Sequence, residues 1–155
     1  MHKAFGFRSS PGLVEVLAGE ASLDDVMQRD PISGAHVLVA GGRAPSPAEL
    51  LGSAPMKKLL KKLSQSYDLV IIDSAPVVAV SDTRVLSRVV DKTVFLVRWA
   101  DTPREAATAA LRQLVDAGAD VIGVMLSMVD VRKHARYGYS DSGYYYGAMR
   151  KYYTS

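Results

Sequence analysis

Cysteine is absent from this chain, which closes off both disulfides and thiolate metal centres. Histidine is nearly as scarce: His2, His36 and His134 stand far apart, so the pattern disfavours zinc. No apolar run approaches the roughly 18 residues that a bilayer-crossing helix needs. Met1-His2-Lys3-Ala4-Phe5-Gly6 lacks the apolar centre of a signal peptide. The chain as it stands is therefore expected to be cytoplasmic. The phosphate-cradling pattern of two glycines around four residues, followed by Lys and Ser or Thr, is missing throughout. Gly41-Gly42-Arg43 is the nearest glycine cluster, but it has no lysine and leads into a Pro-Ser-Pro turn, so it reads as structural.

What is present is enough apolar material, 48% of 155 residues, for one domain with a substantial core. The formal charge of +3 is unevenly shared. Residues 131–155 hold five Lys/Arg against the single Asp141, a local balance of +4 that leaves −1 for the rest. Seven of the eight tyrosines, Tyr137, Tyr139, Tyr144, Tyr145, Tyr146, Tyr152 and Tyr153, fall in the last nineteen residues among Gly, Ser, Asp, Arg and Lys. Neither a helical nor a strand period orders them. The expected organisation is an α/β domain over residues 1–130 and a flexible tyrosine-rich tail over 131–155, whose exposed phenols suit phosphorylation or stacking.

Four apolar runs, His36 to Ala40, Leu69 to Ile72, Val94 to Val97 and Val121 to Leu126, are short and almost unbroken, as in strands covered on both faces. Helical patterns separate them. Thr102-Pro103-Arg104-Glu105 combines an N-cap, a first-turn proline and a capping-box glutamate, and Gly118 supplies the stop. Ser46-Pro47-Ala48-Glu49 repeats the start signal, Met56, Leu59, Leu60 and Leu63 recur at helical spacing beyond Pro55, and Lys57, Lys58, Lys61 and Lys62 are expected to face solvent. A further helix is predicted over Ser81 to Val90. Between Phe5 and Asp30 the pattern gives two short helices, one after Ser10-Pro11 and one from Ser22, broken at Gly19, with no clear strand. The fold class is α/β: a mostly parallel sheet with flanking helices, a partial three-layer sandwich of the P-loop or Rossmann kind. An opening without strands raises the expectation that earlier strands precede it.

In such sheets ligands bind beyond the carboxyl ends of the strands. Asp73 stands there, behind four apolar residues, where a carboxylate must be hydrated, hydrogen-bonded or near a cation. In phosphoryl-transfer enzymes an Asp so placed organises magnesium and its waters against nucleotide phosphates. The plainer alternative is that Asp73 caps the next turn. With no glycine-lysine cradle, the chain carries half of a nucleotide site.

The order of motifs resembles the C-terminal catalytic domain of bacterial tyrosine autokinases that accompany capsular and exopolysaccharide export. Ile71-Ile72-Asp73-Ser74-Ala75-Pro76 resembles that family's Walker B motif, and Gly42-Arg43-Ala44-Pro45-Ser46-Pro47-Ala48-Glu49-Leu50-Leu51 resembles the loop and helix before it. Val80-Ser81-Asp82-Thr83, Val97-Arg98-Trp99-Ala100-Asp101-Thr102 and the tyrosine-rich end fit in order, so the resemblance spans nearly the whole chain. It implies Asp73 as the magnesium-organising aspartate, Asp82 as a second acid near the metal, and Ser127, where the family often has Asn, near the nucleotide base. It also implies ATP and magnesium as cofactors and the tail tyrosines as phosphoacceptors reached from neighbouring copies. The implied partners are a membrane chain-length regulator, in the same or another chain, and a tyrosine phosphatase, with no nucleic acid. The full-length protein would work at the cytoplasmic face of the inner membrane. The family's P-loop and second acidic motif have no counterpart here, so this chain by itself is expected to be inactive.

Other classes fit less well. A receiver domain also places an Asp at a strand exit, but residues 36–42 offer no acidic pair and Val121 to Val131 no closing Lys. A partitioning-type ATPase fragment leaves the seven tyrosines unexplained. A third alternative is a non-enzymatic module that stacks them on glycan or nucleic acid, which truncating the tail would distinguish.

Overall fold

A computed structural model describes residues 6–136. Two compact units divide the chain, one running to Val90 and the other starting at Asp91.

The first unit opens with α1 (Leu13–Ala18), which Gly19 terminates at φ 77°. The Glu15 carboxylate accepts from the backbone N–H of Gly12 at 2.7 Å and of Gly42 at 2.9 Å, and from the Ser10 hydroxyl at 3.1 Å. One side chain thus closes the helix start and pins the Gly41-Gly42 turn against it. Gly41 has φ 88°, and a Cβ there would fall 2.1 Å from the Glu15 carboxylate, so only glycine suits the position. Next comes α2 (Leu23–Val26), capped by Ser22 Oγ, which accepts from Asp25 N–H at 3.2 Å.

β1 (Gln28–Arg29) pairs antiparallel with β2 (His36–Val37), so the first thirty residues do hold a strand, contrary to the pattern-based expectation. The turn between them carries the signal: buried Asp30 accepts from the Ser33 N–H at 2.8 Å and from its hydroxyl. The expected run from His36 to Ala40 is only partly strand. The Val39 and Ala40 carbonyls instead accept from Leu13 N–H at 2.8 Å and Val14 N–H at 3.0 Å, serving donors of α1's first turn that have no partner within the helix.

α3 (Pro47–Gly52) and α4 (Ala54–Ser66) follow, the latter capped by Ser53 Oγ accepting from Met56 N–H at 3.3 Å. Met56, Leu59 and Leu63 recur on one face of α4 and pack with Leu17 and Leu86 into the unit's core, with Leu13, Val16, Leu23 and Ile72 against it. The last helix of this unit, α5 (Asp82–Leu86), is shorter than the predicted span because residues 87–90 close into turns. Leu69 to Ile72, expected as a buried strand, joins no ladder among the described residues. Leu69 is 74% and Ile71 80% exposed, and Ile72 alone of the four reaches the core. A strand covered on both faces needs a neighbour along its edge, and no described segment occupies that edge.

In the second unit β3 (Thr93–Arg98) and β4 (Val121–Ser127) run parallel, Phe95 opposite Val124 and Val97 opposite Leu126, joined through α6 (Arg104–Asp116). Pro103 sits at the N-cap of α6, one residue later than the predicted Thr102 cap, and Gly118 at φ 87° makes the expected stop. Ala110 and Leu114 are the helix's buried positions. α7 (Val131–Arg136) starts where Asp130 Oδ1 accepts from Lys133 N–H at 3.1 Å. The α/β class stands, built on a parallel strand pair with helices.

Hydrogen bonds from Gly12 N–H and from its own backbone N–H, followed by those from Gly42 and Ser10, hold the Glu15 carboxyl below its ordinary range. A depressed folded-state value stabilises the fold above the unfolded value and is lost as pH falls through the folded one. Glu15→Gln should therefore be less resistant to urea than the parent at pH 7, with the difference shrinking as pH is lowered below about 4. A pH-independent difference would rule this clamp out.

Candidate functional site

Asp73 follows directly on Ile72, so the residue that reaches the core fixes where the exposed carboxylate emerges. The loop Asp73-Ser74-Ala75-Pro76 is not free. Buried Thr83 donates its hydroxyl to the Ala75 carbonyl at 2.6 Å, and Ala79 N–H donates to Pro76 O at 3.0 Å. The first bond fastens the Asp73 loop to the first turn of α5, which opens with half-buried Asp82. Two of the candidate acids are thereby carried on segments tied together by one buried hydroxyl. Two carboxylates with hard oxygen donors suit magnesium, which takes one or two protein carboxylates and completes its shell with water and substrate phosphate. Among the described residues no group of three or more acidic or histidine side chains could hold a metal by itself.

Ser127 lies in the second unit, at the last position of β4. Its hydroxyl donates to Val97 O at 3.4 Å, and its carbonyl accepts from Trp99 N–H at 3.0 Å. Both strand exits here continue into non-glycine residues in the left-handed region, Ala100 and Met128, each at φ 57°. Each such residue costs about 1–2 kcal/mol. Arg98 pairs with Asp101 at 3.6 Å, and Trp99 meets the His134 ring edge-on with centroids 6.1 Å apart. The tyrosines Tyr137 to Tyr153 lie outside the described residues.

Sequence reasoning singled out Val80-Ser81-Asp82-Thr83 without assigning Thr83 a task, and it missed the Glu15 clamp. The glutamate three residues after Gly12 was a legible capping signal; its reach to Gly42, 27 residues on, was not.

An α/β domain built on a parallel strand pair with helices is the class this arrangement defines. In sequence, the chain is 33% identical over 139 residues to the tyrosine-protein kinase YwqD of Bacillus subtilis, covering 90% of this chain and 59% of that one. To the Escherichia coli tyrosine-protein kinase Etk it is 33% identical over 138 residues, 89% of this chain and 19% of Etk. In structure, it matches the kinase domain of VpsO with a TM-score of 0.78 at 32% identity, over 84% of this chain and 64% of that domain. The Etk kinase domain matches with 0.77 at 34%, over 81% and 49%. No protein-family model matches. The chain's homologues are thus bacterial tyrosine-protein kinases, and it spans less than two thirds of the length of these relatives.

Thr83→Val keeps the shape of the side chain but leaves the Ala75 carbonyl without its donor. A loss of about 1–3 kcal/mol in urea unfolding is expected, the cost of an unpaired, part-buried acceptor. A loss below about 0.3 kcal/mol would show that the loop is held by other means.

Proposed function

We propose that this chain is the part of an ATP-dependent protein-tyrosine autokinase that carries the magnesium-organising carboxylate and the phosphoacceptor tail. The observation that carries this reading is the part-buried Thr83–Ala75 bond: it holds the Asp73 loop to the turn bearing Asp82, in a chain related to tyrosine kinases over most of its length. Asp73 is the acid that would orient magnesium through its water shell, with Asp82 beside it. When bound, the ion neutralises charge on the nucleotide phosphates. Ser127, at its strand exit, is assigned to the nucleotide base.

The phosphate cradle comes from a further segment bearing a P-loop, which also covers the exposed Leu69 and Ile71. Each tail phenol accepts a phosphoryl group as it loses its proton, with ADP leaving. Acceptor and donor sites lie on different copies, so the protein works as an oligomer. The proposed organisation is a domain through residue 130 and then an acceptor segment that opens with α7 and carries the tyrosines from 137 on. The setting is exopolysaccharide or capsule biosynthesis and export, at the cytoplasmic face of the membrane, with a chain-length regulator and a phosphatase as partners. Among the described residues no helix is long and apolar enough to cross a membrane.

In the full-length protein Asp73→Asn should lower phosphotyrosine formation roughly 100-fold or more, the scale of losing one group that stabilises developing charge, with folding unchanged by circular dichroism. Activity within about threefold of the parent would overturn the assignment. The chain alone, having no cradle, should show no ATP binding by calorimetry at about 100 μM; low-micromolar affinity would contradict the half-site.

A further inference from the structure

Three of the four lysines expected to face solvent do so along the rim of an open groove. A groove of about 460 Å³ runs between α4 and the α1–α2 pair, with Leu17, Leu23 and Leu59 in its wall and Lys58, Lys61 and Lys62 along one side. Lys58 lies three and four residues from Lys61 and Lys62 on α4, and none of the three forms an ion pair with a described residue. Lys57, on the same helix, does not line the groove. Like charges at this spacing repel one another, so an anion seated among them relieves an existing cost. An apolar wall beside clustered ammonium groups fits an aryl phosphate, the ring against leucine and the dianion among the lysines.

The chain's own sequence contains the matching chemistry. Residues 137–155 carry seven phenols and, unmodified, Arg150 and Lys151 against Asp141, a net +1 that the lysines repel. Phosphate on Tyr144, Tyr145 and Tyr146 would bring that segment to about −4. We propose that the groove holds the terminal segment of this sequence once its tyrosines carry phosphate, making it a reader of the modification. This rests on the tail being the phosphoacceptor. The unmodified segment has the wrong sign of charge and the modified one the right sign, so occupancy follows phosphorylation.

The test uses synthetic peptides of residues 137–155, with phosphate installed chemically at Tyr144, Tyr145 and Tyr146 or left off, titrated by the full chain in fluorescence anisotropy. The phosphopeptide should bind at least about tenfold more tightly than its unmodified twin. Combined Lys58→Glu, Lys61→Glu and Lys62→Glu should remove that difference, while Lys57→Glu should change it less than about twofold. A peptide with phosphoserine at the same three positions should bind several-fold more weakly, about threefold or beyond, for want of rings. Equal binding of the two peptides, equal effects of Lys57→Glu and the groove variants, or equal binding of phosphoserine would each overturn the proposal. So would lysine-dependent binding of vesicles containing anionic phospholipid without phosphopeptide binding, which would make the surface a membrane contact. Should the charge-reversed variant misfold by circular dichroism, Lys61→Ala with Lys62→Ala reads the same outcome. Because the phosphates are made by synthesis, failure of the autokinase reading would appear in phosphotyrosine formation and not here.

Discussion

A backbone segment that joins no ladder has to be positioned by other bonds, and in this protein the site depends on how that is done. From Leu69 to Ala75 the described chain is anchored by Ile72 in the core and by the Ala75 carbonyl on the Thr83 hydroxyl. Asp73 lies between those two anchors. Apolar packing alone sets depth, while a short part-buried hydrogen bond sets direction, since such a bond weakens steeply away from alignment. The carboxylate is thereby presented on a defined loop although the segment before it joins no ladder among the described residues.

The same division of labour recurs at the other end of the first unit. Glu15 sits on a helix of only six residues, too short to be stable alone. Its carboxylate serves N–H groups on both Gly12 and Gly42, and the carbonyls of Val39 and Ala40 serve donors of the helix's first turn. A loop that would otherwise be loosely attached becomes part of the helix cap. In the second unit the parallel strands supply their own ladder, yet Val94, Leu96, Ile122 and Met125 remain about half exposed or more. Uncovered apolar strand surface of this kind favours association with further chain, and it agrees with the chain's spanning only part of its relatives.

Helix boundaries were legible where local chemistry writes them: Ser22 caps its helix and Gly118 stops one as expected, whereas Ser46 makes no side-chain cap bond and the cap of α4 falls on Ser53, which the pattern did not single out. Strands were less legible, because an apolar run states only that burial is available. Val94 to Val97 and Val121 to Leu126 found each other across a helix of suitable length; Leu69 to Ile72 found no described neighbour, and 38–40 spent their carbonyls on α1. The lysines of α4 read correctly as a polar face, but periodicity carries no record of the groove beside them.

By itself, then, the sequence determined what depends on near neighbours along the chain: the helix caps, the α/β alternation, the carboxylate at the end of an apolar run, and the charge division between the first 130 residues and the last 25. Only the tertiary structure decided which carbonyl Thr83 would hold, which turn Glu15 would clamp, and which lysines would share a wall with leucines. Those partners lie from 8 to about 40 residues apart, and local preference has no term for them. Packing brings them together, and a hydrogen bond or an unrelieved charge then gives the meeting its consequence.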